Sequence, residues 1–283
     1  MIKNNTPVEK YKVGRRTVYV KREDKCTPRP GPPFSKCRGV YAKMKKLKKE
    51  GVETVGYVET PISMAGWAVA WCAKKLDMRA VIFDPQYKNK TPIMLQYHRR
   101  EWWQFSPVVL KIPAGRTCIN WQIAKKILNE KYLNALMLPT GLPFQETVEE
   151  TAKEWVRTMK VIKPDHTVIC VGSGTICAGI INGMALRKRK LHGVLICSKN
   201  MEAYKDKIWD KAGLLRGGLF GVPDSFFNLV DPGWEYMQEA EMEPPFPCHR
   251  YYDQKAWQWL VENLKDLKGK VLFWNIGREH DIK

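Results

Sequence analysis

A glycine-rich turn between an apolar strand and a helix is the strongest chemical signal in the sequence. The segment VICVGSGTICAG covers residues 168–179, and its turn is Gly172-Ser173-Gly174-Thr175. Glycine lets the backbone turn tightly and expose its N–H groups, and the N-terminus of the following helix adds positive potential. The pattern predicts a phosphate-binding turn, although it matches neither the P-loop nor the dinucleotide-binding consensus. A plain tight turn is the alternative.

Lys36 is the second candidate. It stands between a loop rich in Pro and Gly, residues 27–35, and a helix predicted over residues 36–50. A solvated lysine is the ordinary interpretation for a residue type this abundant. A lysine near a phosphate-binding turn has another use, since its amine can form a Schiff base with the aldehyde of pyridoxal phosphate.

The charge of the chain favours polyanionic partners. Its 283 residues carry a formal net charge of +19 and are 44% hydrophobic, so a substantial core is expected. Basic clusters occur at residues 43–49, 98–100 and 187–190, and the second precedes Trp102-Trp103, which combines cations with aromatic rings. A solvated helix face remains the simpler reading of the first cluster.

Other classes of protein are not expected from the composition. We find no apolar run long enough for a membrane span and no apolar stretch near the start for a signal peptide, so we expect a cytoplasmic protein without membrane contact. The eight cysteines form no C-x-x-C pair, and we predict no metal site.

Strands alternate with helices along the chain, which predicts parallel sheets covered by helices on both faces. Residues 213–250 are rich in Gly, Pro and aromatic residues and are predicted to form long loops. The predicted strands are 17–21, 54–59, 80–83, 108–112, 135–138, 167–171, 193–197 and 270–274, and the predicted helices are 36–50, 65–76, 120–130, 145–159, 177–187 and 253–263.

Six segments, taken in order, resemble a known family. They are KREDK at 21–25, PPFSKCRG at 32–39, ETPISMAGWAVAWCAKKL at 59–76, VGSGTICAG at 171–179, YYDQKAW at 251–257 and VLFWNIG at 271–277. Together they resemble the tryptophan synthase β-like group of pyridoxal-phosphate enzymes, nearest the branch of 1-aminocyclopropane-1-carboxylate deaminase and D-cysteine desulfhydrase.

The resemblance implies an α/β fold with two open parallel-sheet domains and the cofactor, pyridoxal 5'-phosphate, in the cleft between them. Residues 1–50 and 156–283 would form the larger cofactor-binding domain. Residues 51–155 would form a smaller α/β domain that contributes the turn for the substrate carboxylate. Relatives of this kind are commonly homodimers, so a homodimer is expected.

The resemblance also assigns roles to individual residues. Lys36 corresponds to the Schiff-base lysine, and the turn of Gly172, Ser173, Gly174 and Thr175 to the loop that holds the cofactor phosphate. Tyr252 matches a tyrosine near the cofactor ring and is, with Lys36, a predicted catalytic acid/base. The substrate-binding turn corresponds to Ser63, Met64, Ala65 and Gly66.

Two departures from the family pattern put its particular reaction in doubt. Met64 stands where the family has an asparagine that hydrogen-bonds the ring oxygen of the cofactor, and a thioether cannot donate that bond. Asn275 and Ile276 stand where the family ends a strand with H-T-G-G. Either Tyr252 or Asn275 must then hydrogen-bond the pyridine nitrogen of the cofactor, or that nitrogen has no strong acid partner. Asn275 is predicted to bind the cofactor.

These observations predict a pyridoxal-phosphate enzyme that acts at the α-carbon of an amino-acid group by elimination, deamination or decarboxylation. The substrate is either a free small amino acid or an amino-acid group attached to DNA. The second version would resemble the enzymes of bacteriophage thymine hypermodification. The net charge of +19 and the departures at Met64 and Ile276 favour the attached substrate, and the similarity to the nearest branch favours the free amino acid. A non-catalytic nucleic-acid-binding descendant of the fold is the alternative from another class.

Overall fold

The computed structural model of the protein describes residues 2–87, 101–184, 189–214 and 224–279. The chain divides into two compact units. Unit 1 comprises Met1–Pro28, Pro33–Ser35 and Gln145–Lys283, and unit 2 comprises Arg29–Pro32 and Lys36–Phe144.

Unit 1 contains a six-stranded sheet. Its strands are β1 (Val8–Val13), β2 (Arg16–Arg22), β7 (His166–Val171), β8 (Lys190–Leu195), β9 (Phe227–Val230) and β10 (Val271–Asn275). They lie in the order β1-β2-β10-β7-β8-β9. Only the β1–β2 pair among these is antiparallel. The carboxyl ends of the parallel strands therefore meet at one edge of the sheet, where ligands of open α/β sheets bind.

The helices of unit 1 bury apolar faces against this sheet. They are α4 (Gln145–Val161), α5 (Thr175–Met184), α6 (Met201–Ala212) and α7 (Asp253–Glu262). Trp155, Ile180, Trp209 and Trp274 belong to one apolar cluster. Trp257 and Phe273 belong to a second. Burial of β7 and β10 on both faces explains why their sequences are continuous apolar runs.

A buried ion pair joins the start of the chain to α4. Glu154 and Lys21 lie 2.6 Å apart, and both side chains are fully buried. The carboxylate of Glu154 also accepts hydrogen bonds from the backbone N–H groups of Asn5 and Thr6, each at 2.9 Å. A buried carboxylate is stable in a protein only with such partners.

Unit 2 contains a four-stranded parallel sheet in the order β5-β4-β3-β6. The strands are β3 (Thr54–Val58), β4 (Arg79–Gln86), β5 (Val108–Pro113) and β6 (Ala135–Met137). The helices named here are α1 (Cys37–Lys49), α2 (Ala65–Lys75) and α3 (Thr117–Lys131). The predicted apolar stripe of α1, namely Val40, Met44 and Leu47, is buried.

The predicted α/β class, with two units built on largely parallel sheets, is confirmed. The unit boundaries differ from the predicted residues 50 and 155. Helix α1 belongs to unit 2 because it packs against α2, and α4 belongs to unit 1 because it packs against α5.

Among the strands and α-helices named above, strand β1, helix α6 and strand β9 were not predicted, and β9 lies within the stretch expected to be loops. Helix α5 is described only to Met184, so the rest of its predicted length lies outside the described residues. Within the described ranges, no helix combines the length and the apolar character that a bilayer crossing requires.

Candidate functional site

The glycine turn of unit 1 lies directly between β7 and α5, as the sequence predicts. Gly174 has φ +77°, a left-handed conformation that favours glycine, and a Cβ atom there would lie 2.7 Å from Cγ1 of Ile208. The Ser173 and Thr175 hydroxyl oxygens are 3.1 Å apart. The first turn of α5 contains no acidic residue. The geometry and the electrostatics of the glycine turn, residues 172–175, therefore fit a phosphate group.

Helix α6 contacts the back of this turn. The Tyr204 hydroxyl donates to the carbonyl oxygen of Gly172, and the Lys211 ammonium donates to the carbonyl oxygen of Ser173. Burial lowers the pKa of Lys211, and the nearby charge of Lys207 lowers it further. The turn therefore has a cationic group among its immediate neighbours.

Tyr252 lies against the same turn. A Cβ atom on Gly172 would lie 3.3 Å from Cε1 of the Tyr252 ring. The Tyr252 hydroxyl is 2.7 Å from that of Tyr236, and its ring meets His249 edge-on with 4.8 Å between centroids. The structure thus brings two predicted elements together, the phosphate turn and the tyrosine.

Asn275 ends β10 and is fully buried. Its side-chain amide nitrogen donates to a carboxylate oxygen of Asp24 at 3.1 Å and to the carbonyl oxygen of Pro247 at 3.0 Å. Asp24 itself pairs with Arg22 at 2.8 Å, so the KREDK motif forms part of this internal network.

A second buried carboxyl group links β10 to α7. Asp253 follows Tyr252 and accepts hydrogen bonds from the Ile276 backbone N–H at 2.7 Å and from the Cys170 thiol at 3.5 Å. Burial raises the pKa of Asp253 to about 7, against the lowering effect of the Ile276 N–H. Asp253, which follows Tyr252 in the chain, is therefore bonded to Ile276, which follows Asn275.

Lys36 lies in unit 2, immediately before α1. Its side chain is half-buried, and its amine donates to the carbonyl oxygen of Gly141 at 2.6 Å. Gly141 has φ +77° and follows β6. The Lys36 amine is thus held by a backbone carbonyl within its own unit, and its predicted covalent role stays a prediction.

The predicted carboxylate turn, residues 63–66, precedes α2. The Ser63 hydroxyl oxygen accepts a hydrogen bond from the Ala65 N–H at 3.1 Å, and Met64 is buried. The Trp67 indole donates to the carbonyl oxygen of Pro30 at 3.2 Å, which joins the start of α2 to the loop that precedes Lys36.

A glutamate that sequence reasoning missed lies against this turn. Glu59 is 6% exposed, and a Cβ atom on Gly66 would lie 1.9 Å from one of its carboxyl oxygens. The other oxygen accepts the Thr60 N–H at 3.0 Å. Only a glycine at position 66 leaves room for the carboxyl group in this arrangement.

The remaining residues that sequence reasoning missed are Tyr204, Ile208 and Lys211 on α6. Their spacing of four and three residues places them on one helix face, but no motif connected that face to the glycine turn.

Among the basic clusters, residues 98–100 and 187–188 lie outside the described residues. Trp102 is buried and Trp103 is 63% exposed.

Comparisons with known proteins agree with this description. A family model described as "Pyridoxal-phosphate dependent enzyme" matches residues 2–213. A "Glycyl-dTMP PLP-dependent decarboxylase" from Pseudomonas phage M6 is 38% identical over 290 residues, which cover 98% of this chain and 100% of the phage protein.

Two solved structures share the fold. An ACC deaminase homologue superimposes with a TM-score of 0.81 and 19% identity, covering 98% of this chain and 90% of the homologue. A hydrogen sulfide-producing enzyme from Fusobacterium nucleatum gives a TM-score of 0.68 and 14% identity, with 98% and 96% covered. At these identities the similarity is one of fold.

Proposed function

The chain belongs to the pyridoxal-phosphate dependent enzyme family, and from this premise we propose that it decarboxylates a glycyl group carried by a thymidine nucleotide. The observation that carries the proposal is the similarity to the phage decarboxylase, at 38% identity along nearly the whole chain. The prediction of a pyridoxal-phosphate enzyme acting on an amino-acid group is confirmed. The non-catalytic alternative is not retained.

When bound, pyridoxal phosphate supplies an electron sink that stabilises charge at the carbon losing its carboxyl group. Lys36 would attach the cofactor aldehyde through its amine. The N–H groups and hydroxyls of residues 172–175 would bind the cofactor phosphate, a role that the left-handed Gly174 and the acid-free start of α5 support.

The reaction needs one proton at the α-carbon. The bond to the carboxyl group breaks, carbon dioxide leaves, and a proton takes its place. Lys36 would be the first candidate for delivering that proton, because a free lysine amine can carry a proton and act as a general acid. Tyr252 is the second candidate, since its hydroxyl bonds that of Tyr236 at 2.7 Å and its ring lies beside Gly172.

The buried carboxyl group of Glu59 favours loss of the substrate carboxylate over its retention. The resemblance to the family implies that residues 63–66 bind the carboxylate of the substrate. The carboxyl group of Glu59 lies against Gly66 of that turn, and two carboxylates placed side by side repel each other. The repulsion is relieved when the substrate carboxylate leaves as neutral carbon dioxide.

Nucleic acid is the second part of the proposal. Exposed lysines at the ends of α1 and α2, namely Lys45, Lys49, Lys74 and Lys75, belong to one unit, and Lys48 joins the two helix ends by donating to the carbonyl oxygen of Leu76. With a net charge of +19, this surface suits a nucleotide that is part of DNA.

The covalent step is tested by reducing the purified protein with borohydride and mapping the modified peptide. We expect a visible absorption band and a pyridoxyl group on Lys36. In Lys36→Ala the band is lost and turnover falls about a thousandfold. Lys126→Ala, which removes an exposed lysine of the same unit, serves as the control. A pyridoxyl group on a different lysine would contradict the assignment.

The substrate is tested by measuring carbon dioxide and ammonia from glycyl-dTMP, from an oligonucleotide containing the same group, and from free amino acids. Carbon dioxide from the nucleotide substrates supports the proposal. Ammonia from a free amino acid would instead support a deaminase of the kind that the fold also includes.

DNA binding is tested by charge reversal. We expect Lys45→Glu, Lys49→Glu and Lys75→Glu together to weaken duplex binding at least about tenfold and to reduce its salt dependence. Reversal of Lys163, Lys265 and Lys268, exposed lysines of unit 1, is the matched control. Equal losses in the two variants would indicate an effect of net charge alone.

We further propose that the enzyme is a homodimer, as the resemblance implies. Sedimentation of the cofactor-loaded protein measures this, and a mass of 32.8 kDa in solution would contradict it.

A further inference from the structure

One face of α6 contacts three consecutive residues of the glycine turn. Tyr204 donates to the Gly172 carbonyl oxygen, Lys211 donates to the Ser173 carbonyl oxygen, and Ile208 fills the space beside Gly174.

These contacts fix the direction of the peptide groups in the turn. The carbonyl oxygen of Gly174 is also occupied, by the Ala178 N–H at 2.8 Å in the first turn of α5. In a trans peptide the carbonyl and the following N–H point in opposite directions. The N–H groups of Ser173, Gly174 and Thr175 therefore point away from the donors that hold the three carbonyl oxygens.

Such an arrangement of successive N–H groups is what binds an anion in a backbone nest. The donor from Lys211 carries a full positive charge, and a charged donor holds a carbonyl more strongly than a neutral one. Lys207 and Lys199 are close enough to lower the pKa of Lys211, so this flank of the turn is strongly cationic. Gly172 and Ser173 are only partly buried, which leaves the turn accessible.

We propose that Tyr204, Ile208 and Lys211 form a clamp that holds residues 172–174 in the conformation that binds the cofactor phosphate, with Lys211 adding its charge to that site. The inference rests on the proposed role of the turn as the phosphate site. It assigns the selectivity for a phosphorylated cofactor to a helix that carries no recognised motif.

The test measures cofactor affinity in the apoprotein, without substrate. Pyridoxal phosphate and pyridoxal, which lacks the phosphate, are each titrated and followed by absorbance. We expect Lys211→Met to weaken binding of pyridoxal phosphate about ten- to a hundredfold and to leave pyridoxal binding within about twofold. Tyr204→Phe, which removes only the hydroxyl, should cause a smaller loss of the same kind.

Two further variants make the result decisive. Lys163→Met removes an exposed lysine that precedes β7, at the opposite end of that strand from the turn, and should change neither affinity. Lys211→Arg keeps the charge and the donor and should restore most of the affinity for pyridoxal phosphate. If Lys211→Met binds both compounds like the wild type, or loses both equally, the clamp is wrong. If Lys211→Met does not fold, the ³¹P shift of the bound phosphate is measured in Tyr204→Phe, and a shift identical to that of the wild type overturns the proposal.

The outcome is independent of the reaction. If the wild type binds pyridoxal as tightly as pyridoxal phosphate, the turn is not a phosphate site and the proposed function loses that assignment. If only the variants fail to discriminate, the clamp is supported whatever the substrate proves to be.

Discussion

Each unit has a turn between a parallel strand and the start of a helix, and the two turns differ in what lies behind a glycine. In unit 1, the position behind Gly174 is filled by Ile208, and Lys211 donates to the neighbouring carbonyl. In unit 2, the position behind Gly66 is filled by the carboxyl group of Glu59. Gly174 is left-handed and Gly66 lies within α2, and the groups packed behind them also differ: an apolar side chain near a lysine in unit 1, and a carboxyl group in unit 2.

Under the proposed function, the difference would correspond to two tasks. A phosphate that stays bound throughout turnover is best held by N–H groups and a fixed cation. A carboxylate that must leave as a neutral molecule gains from a site that does not stabilise its charge. The proposed decarboxylation needs both kinds of turn in one protein.

Alanine at the two glycines gives the largest expected difference. In Gly174→Ala the side chain is strained by the positive φ and overlaps Ile208, so we expect a loss of about 2–4 kcal/mol in the free energy of unfolding and loss of cofactor binding. In Gly66→Ala the added atom displaces only the flexible end of Glu59, and about 1 kcal/mol is expected. Urea unfolding of both variants measures this, and equal losses would refute the distinction.

Asp253→Asn tests how much a buried negative charge destabilises unit 1 near the glycine turn. Its folded pKa of about 7 lies above its ordinary value of 3.8, so the folded state binds the proton more tightly. This contribution to stability is complete below about pH 4 and is lost as the pH rises through about 7. Relative to the wild type, Asp253→Asn should therefore be about 3–4 kcal/mol more favourable at pH 8 than at pH 4. Urea unfolding at the two pH values tests this, and a constant difference would contradict it.

Glu59→Gln tests the electrostatics of the turn in unit 2. The amide keeps the shape of the side chain and removes its charge. We expect carbon dioxide release to slow about tenfold in kcat, while KM stays the same or falls because the substrate carboxylate is no longer repelled. Glu53→Gln, an exposed glutamate of the same unit, is the control. An unchanged kcat would remove Glu59 from the proposed mechanism.

Tyr236→Phe is expected to have the smallest effect. The variant removes the hydroxyl that lies 2.7 Å from the Tyr252 hydroxyl and leaves the ring packing in place. We expect a loss of about 1 kcal/mol or less in stability and a several-fold change in turnover. A larger loss, comparable to that of Tyr252→Phe measured in parallel, would make Tyr236 a member of the proton path.

The sequence predicted elements with strong periodicity and failed where packing alone defines them. The apolar run 167–171 and the stripe on α1 correspond to β7 and α1. Helix α6 was missed because only Ile208, Trp209 and Ala212 are buried in it. The unit boundary after Ser35 was missed because the assignment of α1 follows from its packing against α2, which leaves no local mark in the chain.

The candidate site was predicted in part, where a sequence motif marks its residues. Motifs identified the glycine turn and Tyr252, and the structure places them side by side. Glu59 and Lys211 were missed because each contacts a backbone group in another segment, Glu59 at Gly66 and Lys211 at Ser173. A single sequence contains no pattern that predicts such a contact. Lys36 and Asn275 are placed by the structure, and their roles stay predictions.

The buried pair of Lys21 and Glu154 has a practical consequence for work on the protein. Glu154 receives the backbone N–H groups of Asn5 and Thr6 as well as the Lys21 ammonium. Trimming the first seven residues would strip two amide donors from a carboxylate that water does not reach, and each lost hydrogen bond to a buried charged group costs about 1.5–3 kcal/mol. Affinity tags are therefore better placed at the C-terminal end, with the first seven residues left intact.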